Sequence, residues 1–106
     1  AHFDPTYVHV VYFWFKAGTT KEDHLLFEKS LRTFLNTSQY AKTNFIGTPP
    51  QATRAVVDDS FTYNLVLSFD SAQAQKAYQD EAAHKVFIKE CEHLWEKVIV
   101  YDAQKI

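Results

Sequence analysis

The sequence predicts an α+β fold, one domain over residues 1–106 with the element order β-α-β-β-α-β. Three observations carry this reading. YVHVVYFWFK at 7–16 and FTYNLVLSF at 61–69 are rich in β-branched and aromatic residues with an alternating pattern. Two other segments, one after Thr19-Thr20 and one around His84, carry apolar residues at helical spacing. Turn-forming clusters fall between these stretches.

The first strand should be central and end at Ala17-Gly18. Its alternation puts His9, Val11, Phe13 and Phe15 on one face and Val8, Val10, Tyr12 and Trp14 on the other. Both faces are apolar. One helical layer covers only one of them, so in so short a chain the second face implies the sheet of a partner subunit, and a homodimer is expected. Thr19 and Thr20 stand three residues before Glu22 and Asp23, the start signal of a helix expected over 21–35. Phe27, Leu31, Phe34 and Leu35 form its apolar stripe, with His24 one turn earlier at the surface or a pocket rim.

YAKTNFIGT at 40–48 reads as a weaker strand, and TPPQATRAVVDDS at 48–60 as an extended loop. Arg54 and Asp58 suggest an ion pair pinning that loop rather than a phosphate contact. After the strand at 61–69, Asp70 or Ser71 can cap a helix to Gln79, and a break at 80–82 precedes the His84 helix. Phe87, Ile88, Cys91 and Trp95 lie three, four, seven and eleven residues beyond His84, one stripe that turns His84 inward. His93 falls about half a turn round and faces solvent. KVIVYDA at 97–103 closes the chain as a strand.

Composition narrows the partners. With eleven basic and thirteen acidic residues interspersed and a net charge of −2, there is no basic patch for nucleic acid. No apolar run approaches the roughly 20 residues that span a bilayer, and AHFDPTYV lacks a signal-peptide pattern, so a soluble, cytoplasmic protein is expected. The lone cysteine, Cys91, lies on the apolar stripe and should pack as a small hydrophobe. The five histidines, His2, His9, His24, His84 and His93, show no HxH or HExxH spacing and there is no CxxC, so no metal site is expected.

The element order is that of the ferredoxin-like split βαβ unit. With VHVVYFWFK at the front, GTPPQATRAVVDDSFTYNLVLSF in the middle, and AYQDEAAHKVF then LWEKVIVYD at the end, the chain resembles the stress-responsive A/B barrel (Dabb) family over nearly its whole length. The resemblance implies ferredoxin-like subunits paired into a dimeric α/β barrel. Most bacterial members of that family have no established activity, some plant members are linked to stress tolerance, and a plant branch contains polyketide cyclases. In the cyclases a strand histidine and a helix histidine face each other across an apolar pocket, and those positions match His9 and His84; Tyr78 matches a pocket tyrosine. Two positions depart from that pattern, a second strand histidine being Tyr63 here and a first-helix tyrosine being Leu31.

Removing a proton next to a carbonyl needs a base of near-neutral pKa and donors for the developing enolate, which histidine and tyrosine supply. His9, His84, Tyr63 and Tyr78 are therefore the catalytic candidates, and Val11, Phe13, Phe27, Leu31, Leu65, Phe87 and Trp95 the expected pocket lining. The plainer alternative is a set of packed histidines and core tyrosines with satisfied polar atoms. Three functions stay open: a non-catalytic protein binding a small apolar ligand, a cofactor-free cyclase, isomerase or lyase acting on a carbonyl compound, and, by fold analogy alone, a monooxygenase.

Overall fold

The computed structural model describes residues 6–106, so His2 and the start of AHFDPTYV lie outside the described residues. The elements are β1 (Tyr7–Phe15), α1 (Lys21–Thr37), β2 (Thr43–Gly47), β3 (Tyr63–Phe69), α2 (Ala72–Asp80), α3 (Ala82–Cys91), a 3-10 turn (Glu92–Leu94) and β4 (Trp95–Gln104). The four strands form one antiparallel sheet in the order β2-β3-β1-β4, with the first strand central as its two apolar faces require.

Gly18 takes a φ of 86°, a left-handed turn open to glycine at no steric cost, and the chain reverses there from β1 into α1. Thr20 caps the helix reciprocally: Asp23 N donates to Thr20 Oγ1 at 3.2 Å, and Thr20 N donates to Asp23 Oδ2 at 2.9 Å. The helix runs on to Thr37 and is capped by Ser38, whose N–H donates to Phe34 O.

α1 lays Phe27, Leu31, Phe34 and Leu35 on the sheet face that carries Val11, Phe13, Leu65, Leu67 and Phe69. The opposite face carries Val8, Val10, Tyr12 and Trp14, and the strand registers set Tyr101, Ile99, Val66 and Phe45 beside them. Tyr101 and Phe45 are 63% and 57% exposed, so this face is a broad apolar surface with no helix over it.

Two expectations need correction. Trp95 is not on the His84 helix: α3 ends at Cys91, and the 3-10 turn delivers Trp95 as the first residue of β4, where its ring packs on Phe13 and Phe87. A stripe that continues past a helix end still points at the same core, which is why spacing alone mistook strand for helix. The loop after β2 is held by carboxylates bonding backbone: Ser60 N donates to Asp58 at 2.8 Å and Ala52 N to Asp59 at 2.8 Å. Among the described residues no ion pair joins Arg54 to Asp58. Cys91 is fully buried, its thiol pKa raised by that burial, and His93 is exposed.

Candidate functional site

Alternation along β1 turns His9, Val11 and Phe13 toward the helices, and β4, paired beside it, turns Val98, Val100 and Asp102 the same way. The end of α2 and the start of α3 stand off from these strands. The space between is a cavity of about 520 Å³, lined by His9, Val11, Phe13, Leu65, Tyr78, Gln79, Asp80, His84, Phe87, Ile88, Trp95, Val98 and Val100. Val98 and Val100 remain 39% and 49% exposed although they face the helices, so the cavity opens along the β4 edge. Its polar groups gather at the His9 end and its apolar groups at the Trp95 end, because successive inward residues of β1 change from histidine to valine to phenylalanine.

His9 and Asp102 are direct cross-strand partners, and His9 Nδ1 lies 2.5 Å from Asp102 Oδ1. A carboxylate can only accept, so Nδ1 carries a proton, and in the neutral ring that leaves the lone pair on Nε2. The His9 and Tyr78 rings are 5.9 Å apart and those of Tyr78 and His84 5.3 Å apart, so the three form one row. Neither ring nitrogen of His84 and not the Tyr78 hydroxyl has a hydrogen-bond partner among the described residues. That row is not a closed packing network.

Burial, and then the neighbouring His9, lower the pKa of His84, while the Glu81 charge opposes them. The Tyr78 hydroxyl is pushed up by burial and then by Glu81, so it stays a proton donor. Tyr7 is raised too, by burial first and then by its hydrogen bond to Asp102. With the folded pKa of His84 below the unfolded value of about 6.5, the unfolded chain takes up the proton first, so the stability this group contributes is complete above that value and is lost as pH falls through the folded pKa. Urea unfolding of the native chain should therefore weaken from pH 7.5 toward pH 5, and His84→Asn should flatten part of that slope. An identical slope in the variant refutes the assignment.

The remaining candidates lie elsewhere. Phe27 and Leu31 do not line the cavity; both are wholly buried behind it in the core between α1 and the sheet. Tyr63 also stands apart, donating to Glu28 Oε2 at 2.6 Å with its hydroxyl 3.0 Å from His24 Nδ1, so His24 belongs to this second cluster and not to the cavity rim. Asp102 is not among the residues the sequence singles out for the site, nor are the lining residues Gln79, Asp80, Ile88, Val98 and Val100. The available signal was the alternation of KVIVYDA, which sets an acid on the inward face two residues after Val100. Among the described residues no group of three His, Cys, Asp or Glu converges as a metal site, and no helix is long and apolar enough to cross a membrane.

The family model described as the stress-responsive A/B barrel domain matches residues 8–105. The chain belongs to this family. No curated protein matches this A/B barrel chain. Among solved structures it is similar to a hydroxynitrile lyase from Passiflora edulis, at 20% identity over 97% of this chain and 96% of that one, with a TM-score of 0.80. A protein of Arabidopsis thaliana is 22% identical over 94% and 95% of the two chains, with a TM-score of 0.79. A dimeric ferredoxin-like protein of unknown function from Thermobifida fusca is 14% identical over 98% and 95%, with a TM-score of 0.78. At these identities the likeness establishes the ferredoxin-like fold of the A/B barrel domain.

Proposed function

We propose that this A/B barrel chain binds a small, mostly apolar carbonyl compound in the cavity, and that His9 removes a proton from the carbon beside the carbonyl without a cofactor. The observation that supports this is the His9–Asp102 pair at the polar end of an apolar cavity. Asp102 fixes the ring orientation and the tautomer and stabilises the imidazolium that forms when Nε2 takes the proton. Electron density then moves onto the carbonyl oxygen, where Tyr78 and the neutral His84 ring supply donors to the enolate. The apolar walls at Phe13, Phe87 and Trp95 hold the rest of the molecule.

The same reading includes a homodimer through the outer sheet face of Val8, Val10, Tyr12 and Trp14, in keeping with the dimeric state described for the Thermobifida fusca protein.

The test uses benzylacetone in deuterated water, following exchange of the protons beside its carbonyl by NMR. The native chain should accelerate exchange, and Asp102→Asn should lower kcat by a factor on the order of 10² to 10⁴ with little change in binding, since the positioned base loses its tautomer. Benzylacetone that binds near His9 and His84 without exchange would remove the catalytic half and leave a ligand-binding protein. No binding at all would remove both.

A further inference from the structure

The helical segment over the cavity is interrupted at a single residue. Glu81 is extended, with φ −61° and ψ 139°; its N–H donates to Tyr78 O at 3.2 Å, and its carbonyl accepts from His84 N at 3.1 Å and Lys85 N at 3.3 Å. It thus ends α2 and begins α3, yet its side chain caps neither helix. The carboxylate reaches across to the end of α1 instead. Oε1 accepts from Ser38 Oγ at 2.6 Å and Oε2 from Gln39 N at 2.9 Å, two charge-assisted bonds. The Ser38 hydroxyl is itself held by the amides of Tyr40 and Ala41 at 3.3 Å each.

The two short helices lean on packing at their flanks, where Tyr78 lies against Phe34 and Phe69, and on the Glu81 bonds at the break. Nine-residue α2 is too short to be stable alone, and α3 starts without a side-chain cap. On its inner side Gln79 and Asp80 face the ligand cavity, and on its outer side lies a cleft of about 510 Å³ between the junction and Tyr40, with Asp80 lining both. Tyr78 and His84 pack on Phe34 on either side of the junction, and between them the Glu81 carboxylate ties the break itself to the end of α1. Tyr78 and His84 stand three residues before and three residues after that anchor.

We propose that Glu81 is a positioning residue: bound to Ser38 and Gln39, it holds the α2–α3 break in the form that presents Tyr78 and His84 to the cavity. This rests on the proposed site between β1, β4 and the two helices. The charge of Glu81 also keeps Tyr78 protonated.

The test is amide hydrogen exchange of the unliganded full chain, with benzylacetone exchange kinetics as a separate readout. In Glu81→Gln and in Ser38→Ala, amides of residues 78–84 should exchange about tenfold faster while those late in α3 keep their native rates. Ser38→Thr, which retains a hydroxyl, should restore the native pattern. For benzylacetone, kcat should fall about tenfold with KM within about twofold, since misplaced donors cost rate more than binding. Unchanged exchange at 78–84, or an equal rise throughout the chain, overturns the proposal. If the native chain shows no activity on benzylacetone, the carbonyl reading falls, and the local exchange pattern still decides the role of Glu81.

Discussion

Phe27→Ala is expected to bring the domain close to unfolding. The Phe27 side chain is wholly buried, with ring centroids of Tyr63 at 4.7 Å, Phe13 and Phe15 at 5.0 Å and Phe87 at 5.8 Å. Truncation removes the transfer free energy of the ring and leaves a cavity that rigid aromatic neighbours cannot collapse, a loss of about 3–5 kcal/mol. A domain of this size holds about 5–15 kcal/mol in total, so the change is a large share of it. Urea unfolding at fixed protein concentration, with and without the substitution, measures the difference. A loss below about 1 kcal/mol would mean that the site relaxes, contrary to the packing described. Phe13 and Phe87 rest on Phe27 and also line the cavity, so on the proposed function the variant should bind benzylacetone more weakly even where it remains folded.

The second large effect concerns assembly. Trp14 lies on the outer sheet face, its ring under Lys97 Nζ at 4.2 Å and its Nε1 donating to Ser60 Oγ at 3.0 Å. Trp14→Glu would place a carboxylate where the proposed partner sheet packs, and burying an unpaired charge costs several kcal/mol. Because the proposed pairing covers the apolar face the helices leave open, the expected result is aggregated or unfolded protein and not a clean monomer. Light scattering at micromolar concentration reads this directly. A native chain that is a stable monomer, or a soluble and folded Trp14→Glu monomer, would refute the assembly.

The sequence by itself determined the order of the elements and the faces of β1 and of the two helical segments. Two-residue alternation in YVHVVYFWFK decides which side of β1 His9 lies on, because successive Cβ atoms point to opposite faces of any strand. Helical spacing likewise turned His84 toward the sheet, and the Thr20 and Asp23 pair marked the start of α1, since a capping box is satisfied within four residues of chain. These are local rules, and they decide which way a side chain faces, although spacing alone carried the His84 helix on to Trp95, which opens β4. The resemblance carried in VHVVYFWFK and AYQDEAAHKVF reached the family itself, which the match over residues 8–105 bears out.

Only the tertiary structure decided which inward residues meet. His9 and Asp102 are 93 residues apart, and their contact depends on the register of β1 with β4, in which a shift of one residue would turn Asp102 to the other face. Phe27 and Leu31 share the inward direction of the cavity residues, yet α1 packs down over β1 and β3 while α2 and α3 leave the space beside β4 open. Tyr63 alternates in phase with Leu65, but the nearby Glu28 and His24 of α1 take its hydroxyl into a separate cluster. Facing inward is a property of one element's period, whereas lining a cavity depends on how closely a second element approaches, and that distance is fixed by side chains distant in sequence.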